Sequence, residues 1–142
     1  MIWIQFNVPS LKNSKIKTSR GIFPSKTVMK YLRKLGIAKY SVSKKIVKGY
    51  ATRPNQFEDL RAQFEEALKD KSPPFVVALH FVRDSKRKFD FHNAVQIIAD
   101  LMVAHDFIED DNMDYFIPTA LLIEDKYYSV DKECPGVWIE IN

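Results

Sequence analysis

The chain opens with a clear alternation. Ile2, Ile4, Phe6 and Val8 are interleaved with Trp3, Gln5 and Asn7, a period of two that predicts a strand ended by Pro9. The polar, basic stretch from Ser10 to Gly21 predicts a loop, and Ile22-Phe23 a short strand before Pro24. Ser25 is placed to cap a helix through Val28, Tyr31, Leu32 and Leu35, with Gly36 as its stop. Ala38 to Gly49 is basic and weakly patterned, which predicts irregular chain or a short helix. Asn55 can cap a second helix with Phe57, Leu60, Phe64 and Leu68 on one face, broken by Pro73-Pro74.

The second half carries the stronger signals. Phe75 to Val82 reads as a buried strand. Between Asn93 and His105, Ala94, Val95, Ile97, Ile98, Leu101 and Met102 recur at helical spacing and predict a core-facing helix. The polar run from Asp106 to Asp111 turns the chain. Met113 to Ile123 predicts a strand, with Pro118 at a bulge or sheet edge because proline donates no ladder hydrogen bond. Glu124-Asp125-Lys126 reads as a turn, and Val137 to Ile141 as a last strand after Pro135-Gly136. This order predicts an α+β (mixed α/β) fold: one domain, a small mixed sheet, helices packed on one face.

At 142 residues the chain suits one ordinary core. Its longest apolar runs, such as Phe75 to Leu79, stop far short of a membrane span. The first residues lead into a strand rather than a basic-then-apolar leader, and the single cysteine, Cys134, has no disulfide or CxxC partner in the chain. Together these predict a reducing, cytoplasmic setting.

Charge changes the picture more. Residues 1–50 hold twelve Lys and Arg and no Asp or Glu, whereas the remainder is net negative. A solvated face usually mixes both signs, so this asymmetry points to a basic surface that meets a polyanion. Lys12, Lys15, Lys17 and Arg20, with Asn13 among them, form its first segment. Lys26, Lys30 and Arg33 follow on the predicted helix, then Lys44 and Lys45, and later Lys86, Arg87 and Lys88. Tyr40 and Tyr50, set among lysines, are the best candidates for stacking on bases.

The candidate chemistry is acidic. Asp90 and His92 are two apart, and in extended chain such residues face the same side. Asp106, Glu109, Asp110, Asp111 and Asp114 place five carboxylates within nine residues. Such density is costly without a cation to offset it, and oxygen donors plus one imidazole suit Mg²⁺ or Mn²⁺. The bland alternatives are equally concrete. An acidic run after a helix is often a solvated turn, Asp90 alone is a helix cap, and His92 alone is a surface histidine.

The segment Lys88-Phe89-Asp90-Phe91-His92-Asn93, the helix after it, and Phe107-Ile108-Glu109-Asp110-Asp111 resemble the RusA family of Holliday-junction resolvases. That family's pattern is Asp-x-Asp-Asn, an amphipathic helix, then Asp-Asp shortly before a strand, with an interval like the one here. The opening strand, Pro9-Ser10 and the Lys12-Asn13-Ser14 loop are also similar, while residues 37–55 look like a basic insertion. The resemblance implies a mixed α/β subunit that works as a homodimer, Mg²⁺- or Mn²⁺-dependent cleavage of branched DNA in recombination or repair, and a phage or prophage origin. Carried over, Asp90, His92 and Asp111 take the catalytic positions, Asp90, His92, Asp110 and Asp111 the metal positions, and Asn93 and Gln96 supporting ones. Two positions depart from the pattern. His92 stands where the family has its second aspartate, and Gln96 where it has a lysine. A DNA-binding protein without turnover on the same scaffold is therefore the alternative, and a protein-interaction module a third.

Geometry adds one requirement. A helix of about 13 residues spans on the order of 20 Å. Asp90 at its start and Asp111 beyond its end can share a site only if the chain folds back along the helix, or if a second subunit supplies one carboxylate.

Overall fold

The structure, a computed structural model, describes residues 1–10, 15–18, 21–24, 26–34, 41–42, 45–46 and 54–142, with side chains for 1–10, 26–31 and 60–142. In chain order the elements are β1 (Ile2–Gln5), β2 (Lys15–Thr18), β3 (Gly21–Pro24), α1 (Lys26–Lys34), β4 (Ser41–Val42) and β5 (Lys45–Ile46). Then come α2 (Pro54–Leu68), β6 (Phe75–Arg83), α3 (Phe91–Ala104), β7 (Phe116–Ala120), β8 (Tyr128–Val130) and β9 (Gly136–Ile141).

A mixed five-stranded sheet organises the domain. Its order is β1-β9-β6-β7, with β8 paired to the far end of β6. β9 runs antiparallel to both β1 and β6. β7 and β8 run parallel to β6, and α3 makes the crossover that a parallel β6–β7 pair requires. Alternation decides the faces. Ile2 pairs with Ile139, Ile4 with Val137, Leu79 with Ile139 and Phe81 with Val137, so these side chains share one side of the sheet. All are buried, together with Val28 and Tyr31 of α1, Leu60 and Phe64 of α2, and Ala94, Ile97, Ile98, Leu101 and Met102 of α3. The helices thus cover one face, as the pattern of elements predicts, and the fold is α+β.

The other face is thinner and closes locally. Trp3 and Trp138 sit opposite each other with ring centroids 4.6 Å apart. His80 is 1% exposed. Its Nδ1 is 2.9 Å from the Leu121 carbonyl and its Nε2 is 2.6 Å from the Ser129 hydroxyl. A carbonyl only accepts, so Nδ1 carries a hydrogen. This histidine fastens the β7–β8 connection to the central strand.

Several expectations need correction. The Ser10–Gly21 stretch is not all loop, because β2 lies within it and pairs antiparallel with β3. The Ala38–Gly49 region holds the small β4–β5 hairpin rather than a helix. Asn55 lies inside α2, which begins at Pro54. A proline lacks the N–H that would be orphaned in a first turn, so it starts a helix well. The Met113–Ile123 strand shrinks to Phe116–Ala120, because the N–H groups of Tyr115 and Phe116 both donate to the Asn112 carbonyl in a turn. Pro118 does lie on an edge strand. Ser25, Leu35 and Gly36 lie outside the described residues, as does the Phe57 side chain.

The Glu124–Asp125 turn carries a strain worth naming. Both residues have positive φ, 50° and 61°, and Ile123 and Lys126 exchange hydrogen bonds across them. This is the two-residue hairpin geometry that normally selects asparagine or glycine.

Candidate functional site

Asp90 opens α3. Its backbone is extended (φ −95°, ψ 112°) and its carboxylate accepts from the N–H groups of His92 and Asn93, the former at 3.0 Å. That satisfies helix donors which otherwise lack partners. His92 therefore does not extend the strand-like segment before the helix. It is the second residue of α3, so the expected shared face of Asp90 and His92 in extended chain is not what forms. His92 instead lies one turn before Gln96, and Gln96 one turn before Asp100, along one stripe of the helix. His92 and Gln96 are exposed and Asp100 half-buried, with the apolar positions of α3 turned to the core.

The acidic turn is more ordered than its composition suggests. Asp106, with φ 59°, ends the helix in a left-handed conformation, one that aspartate tolerates better than most residues. Asp110 is used locally, accepting from the Asp111 N–H at 2.8 Å and the Asn112 amide at 3.1 Å. Tyr115 donates to Glu109. That bond, and then the nearby negative charges of Glu109, Asp114 and Asp110, push its pKa above the ordinary tyrosine value.

Asp111 does something different. The amide nitrogen of Gln96 lies 2.8 Å from Asp111 Oδ2 and 2.9 Å from Asp100 Oδ1. The chain has folded back along α3, one of the two routes the sequence geometry left open, and Asp111 meets the helix in its second turn, at Gln96 rather than at Asp90. Carboxylates only accept, so the amide must present nitrogen to both of them. Asp100 was not among the sequence candidates, although its spacing of four from Gln96 and eight from His92 was visible.

Among the described residues no three of His, Cys, Asp and Glu are gathered tightly enough to hold a metal ion. Asp90 is turned to its helix cap and Asp110 to its own turn. Asp111 and Asp100 are brought together, with Gln96 between them. Their oxygen donors have the chemistry for Mg²⁺ or Mn²⁺. Gln96 could join them only by turning its amide to present Oε1, and His92 could add one ring nitrogen from the same stripe. Asn93, half-buried, donates its N–H to the Asp90 carboxylate at 3.4 Å.

The basic candidates divide. Lys26, Lys30, Lys86, Arg87 and Lys88 are exposed. The last three stand in the loop from β6 to α3, ending two residues before Asp90. Lys15 and Lys17 lie on β2, Arg33 on α1 and Lys45 on β5, with their side chains outside the described set. Lys12, Asn13, Arg20, Tyr40, Lys44 and Tyr50 lie outside the described residues altogether.

Sequence reasoning missed Arg83. It ends β6 almost fully buried, donates through Nη1 to the Val8 carbonyl and lies 4.6 Å from the Phe89 ring centroid. Burial lowers its pKa from the ordinary arginine value, against the opposing charge of Asp84. A lone arginine closing a run that is apolar except for His80 was the available signal.

The chain matches no protein-family model, and neither a curated protein nor a solved structure is significantly similar to it. Among the described residues no helix is long and apolar enough to cross a membrane.

Proposed function

We propose that this protein is a divalent-cation-dependent endonuclease of branched DNA, of the Holliday-junction resolvase type, acting as a homodimer. The observation that carries the reading is the Gln96–Asp111 hydrogen bond, which returns the acid after α3 to the helix stripe that starts at His92. Asp111 and His92, with Asp90 at the helix start and Asp110 beside Asp111, are the candidate ligands, and Asp100 joins them. A bound Mg²⁺ or Mn²⁺ would polarise the scissile phosphate and lower the pKa of its water. The chain's own contribution is to hold carboxylates on a rigid helix beside the Lys86-Arg87-Lys88 loop, where phosphates are attracted. A twofold dimer would present two such sites, matching two symmetric cuts.

The test is cleavage of synthetic four-way junctions in Mg²⁺ and separately in Mn²⁺. Asp111→Asn is expected to abolish cleavage, and Asp90→Asn to do so while keeping the helix cap. Cleavage indifferent to both substitutions would remove the site from consideration. A monomeric mass at micromolar concentration would count against the dimer.

A second reading, DNA binding without turnover, is favoured by one specific observation. A neutral amide sits between Asp100 and Asp111, where the resemblance expects a lysine near the metal carboxylates. Tight, salt-sensitive junction binding with no cleavage in either metal would select this reading.

A further inference from the structure

A cleft of about 480 Å³ opens beside the candidate site, between the end of β1, the start of α1 and the loop from β6 to α3. Three cations line it, Arg83, Arg87 and Lys88, against one acid, Asp84. Hydroxyls reach it from three separate parts of the chain: Ser10, Thr27 and Ser85. The two walls are tied together, since the Asp84 N–H donates to Asn7 Oδ1 at 3.1 Å and Arg83 donates to the Val8 carbonyl.

We propose that this cleft is a phosphate-binding subsite that seats one backbone phosphodiester of a DNA strand. The proposal rests on the DNA-binding reading above and adds a specific place to it. Arg83 is the fixed element. Its guanidinium is held by Val8 and by the Phe89 ring, so little side-chain freedom is lost when an anion arrives. Arg87 and Lys88 are exposed and make no ion pair among the described residues. The chain that follows Ser10 and precedes Thr27 contains no Asp or Glu, so it can bring no carboxylate to neutralise them. Thr27 is the second residue of α1, whose first turn carries no acid. The positive end of that nine-residue helix therefore adds to the field at the cleft. Three cations, hydroxyl donors and a helix start are the groups that recognise a phosphate oxygen cluster.

The position also makes sense for strand handling. Lys88 is two residues before Asp90, and Gln96 lies about 9 Å along α3 from there. The cleft and the acidic stripe are thus no more than about 16 Å apart along the backbone path. That is a few phosphates of one strand, which lie roughly 3.4 Å apart along a duplex axis. A phosphodiester seated in the cleft would align the same strand with the carboxylates.

The experiment measures junction binding by anisotropy between about 50 and 300 mM salt. Wild type, the Arg87→Ala/Lys88→Ala double variant, Thr27→Glu and a Lys132→Ala control are compared. Losing one phosphate contact should make the log–log salt slope shallower by about 0.9 in the double variant. Its affinity at low salt should fall roughly tenfold. Thr27→Glu should weaken binding likewise while leaving the fold intact, because an acid suits a helix start. Inorganic phosphate titrated into the labelled wild type should shift the amides of Ser10, Ser85 and Arg87 before those of Lys126 and Lys132. DNA binding with an unchanged slope in both variants, or a phosphate response with no preference for the cleft, overturns the proposal. A wild type that binds no DNA overturns the DNA reading itself, and this proposal with it.

Discussion

Replacing Gln96 tests whether the carboxylates of Asp100 and Asp111 truly meet on α3. In the native protein one neutral amide nitrogen serves both, at 2.9 and 2.8 Å. Gln96→Lys puts an ammonium of similar reach in that place. At about 3 Å in water-like surroundings each ion pair gains roughly 1.4 kcal/mol of Coulomb energy. Side-chain entropy and solvent reduce exposed pairs to about 0.2–1 kcal/mol, so the two together should stabilise the fold by about 1 kcal/mol. Gln96→Ala removes both hydrogen bonds and leaves two carboxylates facing each other, a loss of about 1 kcal/mol. The span from alanine to lysine is then about 2 kcal/mol, or several degrees in Tm for a domain of this size. Thermal and urea melts of the three proteins at low salt and near 1 M salt provide the assay. High salt should shrink the lysine advantage, because the screening length there falls to about 3 Å. If Gln96→Lys and Gln96→Ala melt together at low salt, the three side chains do not share a site. On the endonuclease reading, Gln96→Lys should also raise Mg²⁺-dependent junction cleavage.

Three further outcomes follow from the packing. Asp90→Ala should lose about 1 kcal/mol as a helix cap, whereas Asp90→Asn should melt close to wild type, since asparagine caps equally well; urea denaturation separates capping from any role in cleavage. Gly136→Ala should destabilise the sheet by about 1–3 kcal/mol, because a methyl there overlaps the Ile4 carbonyl and the Trp3 ring; a variant as stable as wild type would contradict the β1–β9 register. The Tyr31 hydroxyl is buried with no hydrogen-bond partner among the described residues, and burial pushes its pKa far up. Tyr31→Phe should therefore be neutral or stabilising by up to about 1 kcal/mol, and a clear loss in thermal melts would show that the hydroxyl is bonded.

The sequence by itself determined the elements whose own burial leaves a periodic trace. The Ile2-Ile4 alternation, the buried run at Phe75, the helical spacing from Ala94 to Met102 and the final strand all report a side chain's relation to one core. Asp90 as a helix cap and Pro118 at an edge were equally local, since each follows from the residue's own donors and acceptors. Tertiary structure decided the rest. β8 is three residues long, with both tyrosine and valine exposed, so no hydrophobic alternation announced it. The β2 and β5 strands lie in lysine-rich sequence, and their cross-strand hydrogen bonds leave no compositional mark. Which acids converge was likewise invisible. Asp111 and Gln96 are fifteen positions apart and meet because α3 packs on β6 while the chain returns to β7. The Arg83 cleft needs three segments at once. Burial is written residue by residue along the chain, but a site is made of distances between segments, and those exist only once the sheet has set its strand order.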